Sequence, residues 1–316
     1  MGNWPELPPE TRIRLLDPPS GKVRIVLDTD TFNEIDDQFA VVYALYSPEK
    51  IQVEALYAAP FFNELSTGPK DGMEKSYHEL LKILAVLGRE GEIPVHRGSE
   101  SYLSAPDAPV ESAAARDLVA RAMASPKDDP LYVVAIGAIT NVASAILMEP
   151  RIIEKIVVVW LGGHALHWPD TKEFNLHQDP HASRLVLDCG VPLVLIPCMG
   201  VASHLQTTLP EIRDYVKEQG RIGEYLYNTY LNCARDHFGY SRVIWDISAI
   251  AYLNNSSWLP SVLVHSPLLS ADFRWSFDAS RHWIRYVQFV RRDSVFRDLF
   301  RKLDRGLPIR GEEPNG

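Results

Sequence analysis

The 316-residue chain has only three cysteines, and Cys189, Cys198 and Cys233 show no CxxC spacing. That excludes a zinc ribbon or a disulfide framework and leaves ordinary reduced thiols. Basic residues are also short, 32 against 41 acidic ones, for a net charge of -9. An acidic surface disfavours nucleic acid or an anionic membrane as the main partner, so a small molecule is expected instead. No apolar run approaches the roughly 20 residues of a membrane span, and the opening stretch MGNWPELPPETRIRLLDPPS lacks the apolar centre of a signal peptide. The expected compartment is the cytoplasm. Repeats are absent, as is any linker rich in Gly, Ser or charge, so one domain over residues 1–316 is expected. Its ends would be a proline-containing surface arm at 1–21 and a loose tail at 306–316.

What the chain does have is 46% hydrophobic residues, enough for a large core without a disulfide or structural metal. Apolar runs at Ile25–Leu27, Ile51–Ala59, Leu131–Ile136, Ile156–Leu161 and Val191–Ile196 read as buried strands, with a short one at Ile93–His96. Between them lie helical patterns: one from Ile35 to Tyr46, then Met73–Leu87, Val110–Ala124, Thr140–Met148 and Asp179–Cys189. Regular alternation predicts an α/β fold, a Rossmann-like open, mostly parallel sheet with helices on both faces. Beyond Ser203 the pattern changes to a long helical stretch, Leu209–Asn232, then a short helix Trp245–Leu253. Strands at Val262–Val264 and His282–Val290 and a closing helix Asp293–Leu303 complete the chain.

Four aspartates, Asp28, Asp30, Asp36 and Asp37, fall within ten residues after the first strand. Helix capping accounts for one or two of them. Four carboxylates at the end of one strand repel each other where water is excluded, and a cation relieves that repulsion. In an open parallel sheet, ligands collect beyond the carboxyl ends of the strands. The polar residues there include Thr140 and Asn141 after the Leu131 strand, and His164 through Glu173 and Asn175 after the Ile156 strand. All the proposed ligands are oxygen atoms, which selects a hard cation, Ca²⁺ ahead of Mg²⁺.

Two families open with an apolar strand and DxD. The haloacid dehalogenase-like phosphatases carry DxDxT, met in part by Asp28-Thr29-Asp30-Thr31, but strand two ends in Ala58-Ala59-Pro60 and the chain has no Gly-Asp. The second resemblance, to the calcium-dependent nucleoside hydrolases, runs from strand one to about Leu253. DxDPGxDD is similar to the segment from Asp28 to Asp37, and GPLTN to Gly137-Ala-Ile-Thr140-Asn141. MGG, EFN and DP are similar to Leu161-Gly-Gly, Glu173-Phe-Asn175 and Asp179-Pro180, and a late helix-opening aspartate is matched by Trp245-Asp246.

The resemblance implies that Asp30, Asp37, the carbonyl of Thr140 and Asp246 hold Ca²⁺ with the ribose 2′- and 3′-hydroxyls and a water. Asp30 would be the general base, Asp36 would bind a ribose hydroxyl, and Glu173 and Asn175 would bind the sugar. It implies a nucleoside or related ribosyl substrate, cleavage of the N-glycosidic bond, no covalent intermediate, and a homodimer or homotetramer. Asp28 reads as a structural anchor, Asn141 as a helix-start residue and Asp179 as a helix N-cap. Glu173 and Asn175, placed on an extended segment, would share one side with Phe174 buried between them.

The chain departs from the family pattern in four places. The acidic loop is two residues longer, with Asn33 and Glu34 in the added turn. His167 stands where a sugar-binding Asn is expected, and Asn63 lies about two positions late. Trp245 replaces the His found before the late aspartate in pyrimidine-tolerant members; an indole stacks on a purine instead, with Tyr102 or Trp168 on the opposite face. The expectation is a purine nucleoside hydrolase. Its alternatives are an enzyme for a modified ribosyl metabolite, a ribose- or metal-binding homologue without turnover, and a DxDxT phosphatase.

Overall fold

The computed structural model describes residues 4–126 and 128–306. Six strands follow one another through the first two thirds of the chain: β1 (Val23–Thr29), β2 (Ile51–Ala58), β3 (Val95–Arg97), β4 (Leu131–Ala135), β5 (Ile156–Leu161) and β6 (Leu193–Ile196). Two-residue strands β7 (Gln206–Thr207), β8 (Arg242–Val243), β10 (Leu268–Leu269) and β11 (Trp275–Ser276) make small ribbons, while β9 (Ser261–His265) and β12 (Trp283–Val287) join the main sheet. That sheet has eight strands in the order β3-β2-β1-β4-β5-β6-β12-β9, parallel throughout except for β9 at its edge. Every residue of β4, β5 and β6 is buried, as expected of a sheet covered on both faces.

The helices are α1 (Pro9–Leu16), α2 (Asp36–Leu45), α3 (Pro69–Val86), α4 (Ala113–Ala124), α5 (Thr140–Met148), α6 (Phe174–Gln178), α7 (Pro180–Asp188), α8 (Leu209–Tyr215), α9 (Gly220–Asn232), α10 (Ile247–Asn254) and α11 (Arg292–Arg305). Among the described residues no helix is long and apolar enough to cross a membrane. The strand order reverses direction between β1 and β4, and that switch point lies where the acidic loop leaves β1.

Two expectations about local structure are corrected. The first 21 residues are not only a surface arm: α1 buries Leu15, Leu16 and Arg12, and Arg12 donates to the Gly190 carbonyl at 2.7 Å. Its prolines bracket the helix, Pro9 at its first turn and Pro18 beyond its end, where ring geometry starts and stops a helix without interrupting it. The stretch 209–232 is not one helix: α8 ends at Tyr215, and α9 begins at Gly220, whose φ of +68° breaks the helical run. The expected tail falls, except for Gly306, outside the described residues.

Beside α1, burial first, and then the charges of Arg12, Arg281 and His265, push the His282 pKa down to about 3. The unfolded chain therefore binds the proton that the folded chain refuses, and this contribution to stability is lost as pH falls below the ordinary histidine value of about 6.5. A His282→Gln variant is expected to lose less melting temperature than the unaltered protein between pH 6.5 and 4. Parallel melting curves across that range would refute the assignment.

Candidate active site

Asp30 follows the last residue of β1, and Asp36 and Asp37 form the first turn of α2. Asp246 immediately precedes α10 without capping it. Two ends of the chain thus deliver carboxylates to one place. Oxygens of Asp36, Asp37 and Asp246 lie within 4.8 Å of one another, and Asp30 lines the same cavity. None of the four side chains is more than 4% exposed.

The protein satisfies these carboxylates only in part. Asp37 accepts from Thr29 Oγ1 at 2.5 Å, and Asp36 accepts the Trp245 amide at 3.0 Å. Asp30 Oδ2 is buried with no hydrogen-bond partner. Burial, and next the neighbouring carboxylates, push Asp30 and Asp246 well above the usual carboxylate range, and Asp36 likewise through burial and then Glu34. Burial raises Asp37 to about 7 against the opposing hydrogen bond from Thr29. An orphaned buried oxygen beside three converging carboxylates fits a divalent, oxygen-preferring cation. Gly137 after β4 is part of that arrangement, since a Cβ there would stand 2.9 Å from Asp30 Oδ1.

The cavity encloses about 250 Å³ and is lined by Asn33 and Glu34 as well as the aspartates, by Ile136, Leu161 and Trp245, and by His164, Lys172 and Glu173 to Asn175. The two residues of the longer loop are therefore in the wall, and each is tied to a different segment. Asn33 Oδ1 accepts from Asn63 Nδ2 at 2.6 Å, and Glu34 pairs with Arg242 at 2.7 Å.

Several residues expected at the site have other work. Thr140 is fully buried and its hydroxyl donates to Asp179 at 2.8 Å, whereas the ligand expected from it is the main-chain carbonyl. Ile136 lines the cavity, and its carbonyl accepts from Asn175 Nδ2 at 3.2 Å. Asn63 spends its side chain on Asn33 and the Leu65 amide and does not line the cavity. His167 is exposed outside it because the chain turns at Ala165, whose carbonyl accepts the Trp168 amide at 2.8 Å; His164 faces the cavity instead. Tyr102 donates to Gln178 and Trp168 packs edge-on to His164 and His167, so neither lies opposite Trp245 in the lining.

Glu173 and Asn175 are not on an extended segment. Glu173 is the N-cap of α6, and its two oxygens accept from the amides of Asn175, Leu176 and Gly163 at 2.9, 3.0 and 2.9 Å. Phe174 is half-buried and lines the cavity with them. Asn175 gives Nδ2 to the carbonyls of Ile136 and Leu161, which leaves Oδ1 for a ligand. A Glu173→Ala substitution is expected to cost ~2 kcal/mol of stability by stranding buried amides. A residue that only touched sugar would leave the melting temperature unchanged.

Around the site, Asn141 bridges strand ends, donating to Asp28 Oδ1 at 2.8 Å and accepting from the Ser99 amide at 2.7 Å. Asp28 is thus held outside the cavity lining, and burial raises its pKa to about 7. Asp179 caps α7 through the Ala182 amide at 3.0 Å.

Fold and site together define an α/β protein whose sheet presents a buried, under-satisfied carboxylate cluster at its switch point. A family model described as inosine-uridine preferring nucleoside hydrolase matches residues 25–272, and the chain belongs to that family. Pyrimidine-specific ribonucleoside hydrolase RihA from Escherichia coli O81 (strain ED1a) is 29% identical over 195 residues, 54% of this chain and 58% of RihA. The chain thus spans less than two thirds of this curated relative's length. A plant nucleoside hydrolase, PpNRh1, superposes with a TM-score of 0.73 at 20% identity, covering 92% of this chain and all of that one. The purine-preferring ribonucleoside hydrolase from Gardnerella vaginalis gives 0.70 at 20% identity, covering 89% and 98%. At such identities these two structures show the shared fold.

Proposed function

We propose that the protein is a Ca²⁺-dependent N-ribosyl hydrolase that cleaves a purine nucleoside or related ribosyl compound to ribose and free base. The observation that carries this is the buried, partnerless Asp30 Oδ2 among Asp36, Asp37 and Asp246. Asp30, Asp37 and Asp246 are the carboxylate donors for the cation, and the Thr140 main-chain carbonyl is the neutral ligand that the family resemblance implies. When bound, Ca²⁺ supplies charge neutralisation for the carboxylates, anchorage for a cis-diol and acidification of a water.

The side chains account for the rest. Asp30 takes the proton from the attacking water as its oxygen bonds to the anomeric carbon. The N-glycosidic electron pair leaves with the base, which acquires a proton from solvent. Asp36, Asp37 and Asp246 lie beneath a ring that becomes oxocarbenium-like, and their negative charge favours that state over the neutral sugar. Asn175 Oδ1 is free to accept from a sugar hydroxyl. Trp245 offers a half-buried indole face to the base.

Base preference separates this reading from RihA, whose name is pyrimidine-specific, and rests on Trp245. Ribose release from inosine should exceed that from uridine. Trp245→Ala should cut kcat/KM for inosine roughly tenfold, the value of one lost aromatic stack, and leave uridine nearly unchanged. Equal losses on both substrates would assign Trp245 to packing.

A further inference from the structure

Part of the cavity wall has a different character from the aspartates. His164, Lys172, Phe174 and Met199 line it together. Lys172 is exposed at the rim, and its neighbouring carboxylates are engaged elsewhere: Glu173 is folded onto three backbone amides, and Asp170 accepts the Lys172 main-chain amide at 3.0 Å. Among the described residues Lys172 makes no ion pair, whereas Arg242, which is outside the lining, is consumed by Glu34. Lys172 is therefore an unspent positive charge at the mouth of an otherwise acidic site.

His164 is held beside it. Its main-chain carbonyl accepts from Trp275 Nε1 at 2.9 Å, its amide donates to Thr171 Oγ1 at 2.9 Å, and its Nδ1 accepts the Met199 amide at 3.4 Å. An occupied Nδ1 acceptor places the ring proton on Nε2, which makes that edge a donor. Burial lowers its pKa, so the ring donates as a neutral group.

In a ribofuranose the base and C5′ both rise from the face opposite the 2′,3′-diol. A sugar seated with its diol on the aspartates therefore turns both substituents away from them, toward the rest of the lining, which includes His164 and Lys172. We propose that the cavity takes a ribosyl substrate bearing an anionic substituent, with Lys172 as its counter-charge and His164 Nε2–H as a second donor. The orientation of the sugar rests on the hydrolase reading above. Phosphate on C5′ and carboxylate on the base are two sources of the same chemistry. Because Lys172 is exposed, its effect is that of a screened charge assisting one hydrogen bond, roughly three- to tenfold in affinity.

The experiment uses the full chain loaded with Ca²⁺. Calorimetry compares ribose with ribose 5-phosphate, and inhibition of inosine hydrolysis compares the riboside of a pyridine carboxylate with that of the matching carboxamide. At least one anionic member should bind three- to tenfold more tightly, and the pair that shows the preference names the source. Lys172→Met should bring that ratio to about one, Lys172→Arg should retain it, and added salt should shrink it. Ratios near one in the unaltered protein, or a preference that survives Lys172→Met, would overturn the proposal. If inosine is hydrolysed with both ratios at one, only this inference fails. If no riboside is hydrolysed but ribose 5-phosphate is preferred through Lys172, the hydrolase reading fails and the anion site stands.

Discussion

Asp30→Asn is expected to lower kcat for nucleoside hydrolysis by roughly 10³-fold, the usual scale for loss of a positioned general base. The same substitution is expected to raise the melting temperature of the metal-free protein. Both effects come from one property of the side chain. Asp30 is 1% exposed, has an oxygen without a partner, and is pressed by the charges of Asp37, Asp36 and Glu34. A neutral amide removes a repelling charge from a buried cluster, so the fold gains while the water loses its proton acceptor. KM should change less than kcat, because Asp37 and Asp246 remain to hold the cation. An Asp30→Asn protein that is both inactive and less stable would point to a structural role. Full activity would remove Asp30 from the chemistry.

The second large effect is on stability with and without cation. In the folded, metal-free protein the Asp37 pKa is raised to about 7, and Asp30, Asp36 and Asp246 are also pushed upward. Between the ordinary carboxylate value of about 4 and these raised values, the folded chain holds more protons than the unfolded one. Stability from this cluster is therefore greatest at acid pH and falls as pH rises toward 7 and beyond, the reverse of a salt-bridged aspartate. With chelator present, the melting temperature should drop across that window. Saturating Ca²⁺ should reverse the drop, adding about 4 kcal/mol at a thousand times its dissociation constant. Asp246→Asn should remove most of the Ca²⁺ gain and flatten the metal-free slope. A melting temperature indifferent to Ca²⁺ at neutral pH would argue against a cation among these residues.

The elements that carry the site were legible where local pattern decides them. The buried strands before the acidic loop and before Gly137 and Gly162 are continuous apolar runs, and the residues after them reach the sheet's switch point by topology alone. Asp179 was readable as a cap, and it is one. The misplacements share a cause: side-chain direction after a turn is not encoded by spacing. His167 and His164 are three residues apart, and the turn at Ala165 decides which faces the cavity. Glu173 and Asn175 looked like an alternating pair, yet α6 begins between them and turns the carboxylate onto amides. Thr140 matched its motif and opens α5, where its hydroxyl is spent on Asp179, a partner 39 residues away. The partners of Asn33 and Glu34 come from 30 and 208 residues away, so no local reading finds them. Those contacts make the longer loop a fixed wall of the cavity and give its two residues defined places.

The most direct test is ribose release from inosine by protein first stripped with chelator and then titrated with Ca²⁺. The predicted result is no release from the stripped protein and a saturable return of activity with a single class of site, absent in Asp246→Asn. Hydrolysis that persists in chelator, or none at any Ca²⁺ concentration from a folded protein, would contradict a cation-dependent N-ribosyl hydrolase built on these aspartates.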